Sequence, residues 1–588
     1  MENLEIAASL DQVADLLEIQ GANPFRVRAY RNAARTVNNH AVPMRQLLAA
    51  GEDLTELPAI GKEMAGHIAE LVESGTLSTL EELGESVPLS LVEVVKLPGI
   101  GPKKAARLWH ELDIESVEQL EVAAKAGKVA GLEGFGLKSQ ERILRGIARR
   151  GSDDDRTLLA HAEKLVAPLL EHLEEMKQVQ RLEIAGSYRR RVETVGDVDL
   201  LAVARRGEPV MERFTSFSGA ERVISSGPTR GRIALGSGLE VDLRILPRKS
   251  YGAAMLYFTG SKEHNIKLRQ RAIDRGLRLS EYGLFREDEN AESQDGEPEP
   301  DDPWAGELVA GREERQVYRA LDLPWIPPEL REDRGEIAAA ERGELPELIE
   351  PDDLRGDLQM HSTWSDGKGS IEEMVAGCAE RGHEYLALTD HSPSLAMTGG
   401  LDAKRVRLQW KQLAKVQKRH PEIRILRAQE VDILADGALD QEDEILEELD
   451  LVVAAIHSRL QLPAARQTAR ILKALEHPAV NVFAHPTARL IGKRRPIAFD
   501  LDEVLHCARE NLVAIELNCQ PHRLDLRDTQ LIRARELGVK VVISTDAHKV
   551  ADLDLIRFGI DQARRAWLGA GDVLNTLPVG ELLEWFDS

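Results

Sequence analysis

The sequence predicts a multidomain chain of mixed α+β and α/β class, with helical, mixed-sheet and parallel-barrel parts in that order. Three observations predict it. A glycine-centred helical signature recurs within residues 1–150, alternating strands carry isolated acids over 151–250, and five strands beyond residue 354 run into His, Asp or Glu. At 588 residues the chain has room for three or four domains.

The helical signature reads LPAIGKEMAGHI at 57–68, LPGIGPKKAARL at 97–108 and, more weakly, LEGFGLKSQERI at 132–143. Each places an apolar-Gly turn at a helix start, where unpaired N–H groups and the positive dipole end can receive a phosphate. This is the helix-hairpin-helix way of gripping a DNA backbone without reading sequence. A single copy would be a plain tight turn between packed helices, but copies at matching register favour DNA. The candidates are Gly61, Gly99, Gly101, Lys103 and Lys104, together with Arg26, Arg28 and Arg31 from the acid-free stretch 24–50.

Net charge is -24, which alone argues against a nucleic-acid partner, but the charge is segregated. Residues 222–278 hold twelve Lys/Arg against four acids, whereas 287–303 hold nine acids and no base, as in a solvated loop. The three cysteines form no CxxC pair, and neither a signal-peptide pattern nor a membrane-length apolar run is present. A reduced, cytoplasmic, monomeric protein without membrane contact is expected.

In GDVDLL (196–201), Asp197 and Asp199 lie two apart in a strand. Their side chains therefore share a face with Cα atoms roughly 6.7 Å apart. A solvated edge strand is one explanation and a pair of divalent ions the other. Asp242 in LEVDLRIL adds a third acid, and three inward carboxylates need a cation. Upstream, the Gly186–Ser187 turn offers N–H groups and a hydroxyl to a triphosphate, with Arg190 close by; Asp197 follows Ser187 by ten residues.

Residues 354–588 alternate apolar strands with amphipathic helices. The strand ends supply His391, Glu430, His457, His485, Asp546 and His548, and QMHSTWSD adds His361 and Asp366. A lone histidine after a strand is usually a core or capping residue, but parallel barrels assemble their sites at strand carboxyl ends. Eight such donors suit two or three borderline divalent ions.

Residues 1 to about 325 resemble the family X DNA polymerases, of the DNA polymerase beta type, through GSYRRRVETVGDVDLL, LEVDLRILP and LYFTGSKEHNIKLR (256–269). The resemblance implies that Asp197, Asp199 and Asp242 hold two Mg²⁺ (or Mn²⁺) ions. It places Gly186, Ser187, Arg190 and Gly196 on the nucleotide phosphates, and Tyr257, Phe258 and Gly260 on the sugar side. Asn265 and Arg269 would face the nascent pair or template, and Lys262 stands where relatives carry an acid above the incoming base. His67 falls where lyase-bearing relatives have a Schiff-base lysine, which puts sugar–phosphate lyase activity in doubt. The remainder resembles a PHP (polymerase and histidinol phosphatase) domain, implying a distorted (βα)7 barrel that holds Mn²⁺ and/or Zn²⁺ and hydrolyses phosphoesters. There the first histidine of the expected HxH is Gln359.

The expected organisation is a lyase-like helix-hairpin-helix domain (1–82), a second helix-hairpin-helix subdomain (83–150), and a nucleotidyltransferase palm with a mixed sheet (151–248). A small thumb-like subdomain (249–330), a linker (331–353) and the PHP domain (354–588) follow. The function so implied is short-gap filling in DNA repair on gapped or primer-template DNA with deoxynucleoside triphosphates, plus a 3'-5' exonuclease. Two alternatives stay open: an untemplated nucleotidyltransferase, and a polymerase whose barrel is structural or phosphatase-like.

Overall fold

The computed structural model describes residues 3–40, 44–97, 99–132, 134–149, 156–286 and 306–588, so the acidic run 287–303 lies outside the described residues. Two compact units make up the chain, Met1–Asp153 and Asp154–Ser588. No described helix is long and apolar enough to cross a membrane.

The first unit is helical around one apolar core. Helix Pro24–Asn39 starts where Asn23 accepts from the Phe25 N–H, with a proline in its first turn. Helices Lys62–Ser74, Pro102–Leu112 and Leu137–Arg149 follow the three signatures. The residue that demands special backbone is not the central glycine. Gly61 and Gly101 are extended N-caps, whereas Ala59, Gly99 and Gly134, two positions earlier, lie at φ 62, 83 and 80°. The first hairpin thus holds an alanine where the other two use glycine, at a steric cost of about 1 kcal/mol.

In the second unit a five-stranded sheet runs in the order Val179–Ile184, Asp197–Ala204, Glu240–Leu246, Arg230–Leu235 and Ala220–Ser226. Only the pairing of Asp197–Ala204 with Glu240–Leu246 is parallel, so the sheet is mixed. Ala220–Ser226 carried no strand signal because it is an edge strand with mostly exposed side chains. Helices Tyr251–Thr259 and Lys262–Ile273 and a three-stranded sheet complete the smaller subdomain.

Residues 331–353 are not a loose connection. They contain helix Glu336–Arg342 and the fully buried Arg331; Leu348 packs in the core of the small subdomain and Ile349 in that of the barrel.

Seven parallel strands then follow in sequence order, from Gly356–Met360 to Val541–Ser544. A parallel bridge between Met360 and Ala547 joins the last to the first. These strands are buried on both faces, as a barrel inside a ring of helices requires, although only some, such as Leu451–Ala455, are apolar throughout. The strand Ala514–Asn518 gave no site signal in the sequence because it ends in Asn.

Candidate functional sites

On the mixed sheet, Asp199 lies directly opposite Asp242 and Asp197 opposite Glu240. Asp242 is buried, Asp199 half-buried and Asp197 exposed, so the triplet is graded from core to surface and is not uniformly inward. Burial, then the charges of Asp197 and Asp242, push Asp199 up to about 6; burial and Asp242 raise Asp197 as well. Arg232 pairs with Asp242 Oδ2, and Arg230 Nε stands 3.5 Å from Oδ1. Among the described residues, sets of three or more donor atoms mutually within 4.8 Å occur only in the barrel, so the three palm aspartates do not close to that spacing.

Gly186 sits at φ 67°, and a Cβ there would come 3.0 Å from Asp199 Oδ2. The turn can therefore lie against the carboxylates only as glycine. Ser187 is half-buried in the helical turn Gly186–Arg189, and Gly196 is exposed beside Arg156. Arg190, expected on the nucleotide phosphates, gives Nε to Glu332 (3.0 Å) and Nη1 to the Thr259 carbonyl (2.5 Å).

Tyr257 and Phe258 meet edge to face at the end of their helix, with Arg244 over the Phe258 ring at 4.3 Å. At Gly260, φ is 70° and a Cβ would stand 3.1 Å from Arg190 Nη1. Asn265 is buried; its amide donates to the Tyr257 carbonyl (2.7 Å) while Oδ1 has no partner. Lys262 and Arg269 are exposed.

In the helical unit, Gly99, Gly101, Lys103 and Lys104 line one concave pocket, and Lys104 Nζ donates to the Gly99 carbonyl at 3.1 Å. Gly61 and Gly101 cap their helices without a side chain, leaving the first N–H groups open. Arg26 and Arg28 are exposed. Arg31 departs from expectation, since its guanidinium is engaged by Asp11 and Asp15, which compete with phosphate. His67 stacks on Tyr30 with ring centroids 5.5 Å apart, and its Nδ1 shares a hydrogen bond with the Tyr30 hydroxyl at 3.1 Å.

Among the described residues, the metal-competent donor groups gather at the barrel mouth. Glu430 is ringed by His485 Nε2 at 3.0 Å, His391 Nδ1 at 3.2 Å, His457 Nε2 at 3.3 Å and His361 Nε2 at 3.4 Å. Asp546 Oδ1 stands 3.1 Å from His361 Nε2; Asp366 Oδ2 lies 3.5 Å from His548 and 3.6 Å from His391. Two metal-competent groups result, His361–Asp366–His391–His548 and His391–Glu430–His457, sharing His391.

Electrostatics follow the crowding. Burial opposes charging of His457, yet Glu430 and Asp432 raise it to about 10, and Asp366 with Asp546 lifts His548 to about 9. Burial would raise Glu430, but the surrounding imidazoles hold it well below the carboxylate range.

Gln359 is 1% exposed and neither amide atom has a partner; His361 Nδ1 and His485 Nδ1 are equally orphaned. A buried unpaired polar group costs about 1–3 kcal/mol. Of these four atoms the Gln359 Oε1 and the two imidazole nitrogens can act as ligands, a chemistry that fits borderline divalent ions.

Sequence reasoning missed the groups that orient these donors. Asp432 takes the His457 Nδ1 proton side at 2.5 Å, and Asn518 donates to Asp546 Oδ2 at 3.1 Å. Asp390 accepts from the Ser362 N–H and hydroxyl. The only available cue was their place at or just beyond strand ends.

Comparison with known proteins covers both halves. A DNA polymerase beta thumb model matches residues 254–332, a helix-hairpin-helix domain model residues 1–77, a SAM-like helix-hairpin-helix tandem model residues 91–149 and a PHP domain model residues 357–519. A Bacillus subtilis (strain 168) protein named DNA polymerase/3'-5' exonuclease PolX is 38% identical over 98% of this chain and 97% of its own length. Rattus norvegicus DNA polymerase lambda is 24% identical over 56% of each chain. A probable phosphatase of Thermoanaerobacter sp. (strain X514) is 27% identical over 37% of this chain and 87% of its own.

Proposed function

The chain belongs to the bacterial family X DNA polymerases that carry a PHP domain, and from that premise we propose that it fills short gaps in DNA and trims 3' ends at separate sites on the palm and the barrel. The observation that carries the synthetic half is the register of Asp199 against Asp242, with Asp197 on the same face and the Gly186 turn laid against Asp199.

In this reading Asp197, Asp199 and Asp242 hold Mg²⁺ (or Mn²⁺), which when bound supplies charge neutralisation and a more acidic attacking hydroxyl. The reaction is in-line attack of the primer 3'-hydroxyl on the nucleotide α-phosphate with loss of pyrophosphate. Gly186, Ser187 and Gly196 present N–H and hydroxyl donors to the phosphates, and Arg190 adds a charge-assisted donor. Tyr257, Phe258 and Gly260 shape the sugar side. Asn265, its Oδ1 unpaired, and the exposed Arg269 face the base pair, with Lys262 at the rim. Arg26, Arg28, Lys103, Lys104 and the hairpin glycines would track the DNA backbone.

At the barrel, His361, Asp366, His391, Glu430, His457, His485, Asp546 and His548 would hold Mn²⁺ and/or Zn²⁺, which supply Lewis acidity for phosphodiester hydrolysis. Gln359 would contribute an amide oxygen. The test is extension on single-nucleotide-gapped DNA against a simple primer-template, with Mn²⁺-dependent digestion of a 3'-labelled strand alongside. Incorporation indifferent to template sequence would move the reading to the untemplated alternative, and absence of metal-dependent digestion would leave the barrel structural.

A further inference from the structure

The palm turn that connects Ser187 to Asp197 is held by the barrel at three of its residues. Arg565 Nη1 donates to the Arg190 carbonyl at 2.8 Å. Asp561 accepts from Arg191 Nε at 2.8 Å, and Arg489 clasps the Glu193 carboxylate at 2.6 and 3.2 Å. Two of these three grips, and that of Arg557 on Glu163, come from one helix, Ile556–Arg565. Its residues 557, 561 and 565 recur every four positions and so share a face, and the adjacent Phe558 is buried in the palm's own apolar core.

A charge is shared at the end of this helix. Glu332 Oε1 accepts both from Arg190 Nε, at 3.0 Å, and from Arg565 Nη1, at 2.8 Å. Arg565 is 4% exposed and also binds Asp528 at 2.7 Å; Arg334 binds the same Asp528 oxygen at 2.9 Å. Glu332 alone would neutralise Arg190. With Arg565 on the same oxygen, the guanidiniums of Arg190, Arg334 and Arg565 share the two carboxylates of Glu332 and Asp528, so the cluster keeps one positive charge in excess and Arg190 is not fully neutralised. Arg190 Nη2 makes no hydrogen bond among the described residues.

We propose that Arg565 of the barrel is a positioning residue for nucleotide addition: by fixing the Arg190 carbonyl and sharing Glu332, it leaves the Arg190 charge only partly offset and the guanidinium aimed for a triphosphate. The inference rests on the reading that Arg190 faces the nucleotide phosphates. It makes the nuclease barrel a structural part of the nucleotide site without giving it a role in the chemical step.

The test uses the full chain on single-nucleotide-gapped DNA, reading KM for the deoxynucleoside triphosphate, kcat, and digestion of a 3'-labelled single strand. Arg565→Ala is expected to raise KM about fivefold or more with kcat changed less than about twofold, digestion being unaffected. Arg565→Lys keeps the charge but not the two-nitrogen fork that reaches the Arg190 carbonyl, Glu332 and Asp528, and its KM is expected to fall between those of Arg565→Ala and the unaltered protein. The double variant Arg565→Ala/Glu332→Gln removes the competing carboxylate and should return KM towards its starting value, which a merely structural defect would not do. Should Arg565→Ala fail to fold, Glu332→Gln alone carries the test, because freeing Arg190 is expected to lower KM. An unchanged KM in Arg565→Ala, or no recovery in the double variant, overturns the proposal. Arg190→Ala separates the two levels: if it raises KM while Arg565→Ala does not, only the coupling fails, and if it too leaves KM unchanged, the nucleotide-site reading falls with it.

Discussion

Asp199 and Asp242 occupy paired positions on two neighbouring parallel strands, so the sheet itself brings two carboxylates together that came 43 residues apart in the chain. Replacing Asp242 with Ala, or Asp197 with Ala, is expected to abolish nucleotide addition while Mn²⁺-dependent end digestion persists. Primer extension and 3'-end digestion on the same preparation check it, and undiminished synthesis in Asp242→Ala removes the assignment.

Gly186→Ala isolates the turn. An added Cβ would meet Asp199 Oδ2 at 3.0 Å with the backbone at φ 67°. The left-handed conformation alone costs about 1–2 kcal/mol, and displacing Asp199 should lower kcat for synthesis by roughly 10-fold or more. Digestion should stay level. Equal rates of gap filling in the two proteins would show that the turn does not set the carboxylate.

At the barrel, His391→Ala or Asp546→Ala is expected to remove end digestion with gap filling retained. His391 belongs to both metal-competent groups, so its loss should also lower the bound metal measured by mass spectrometry. A folded variant that loses both activities together would contradict separate sites.

Gln359→His tests the departure from HxH. Imidazole is a better ligand than an amide oxygen for Mn²⁺ or Zn²⁺, and the buried site already leaves both amide atoms without partners. The metal concentration for half-maximal digestion should fall, with synthesis unchanged. Should metal content and titration both stay the same, the side chain lies outside the coordination sphere.

Glu314 offers a pH test. Burial would raise it, but Arg331 and Arg189 hold it well below the carboxylate range, with Arg331 Nη1 at 2.6 Å. A depressed acid contributes stability that is complete above its unfolded value, near 4.3, and is lost as pH falls through the folded value. Glu314→Gln should therefore cost about 3–5 kcal/mol at pH 7. That difference should shrink as pH falls below about 4, and calorimetric melts of both proteins measure it. A gap of constant size down to pH 3 would show that the charge is not the source.

How much of this was legible in the sequence depends on which interactions are local. Acids two apart in a strand, glycine turns at helix starts and histidines after strands are local patterns, and the structure shows each of them. What escaped notice was pairing across distance. The sequence pattern places Arg190 beside the phosphates but does not show its partner Glu332, 142 residues away, and it groups Arg31 with the phosphate ligands without showing Asp11 and Asp15, which belong to another helix. The glycine repeat was legible, but not which glycine bears the strain. That depends on φ, and the alanine at position 59 hides it.

The helix Ile556–Arg565 also bears on how the two activities can be taken apart. A shortened chain that stops before the barrel would strip Phe558 from the palm core, take Asp561 from Arg191 and leave it Glu163 alone, and leave Glu332 to pair with Arg190 alone. Loss of synthesis in such a truncation would report broken scaffolding and say nothing of editing. Point substitution at the barrel mouth is the cleaner way to silence digestion, and a barrel borrowed from a relative would serve this palm only if it brought the same four-residue spacing of Arg, Asp and Arg.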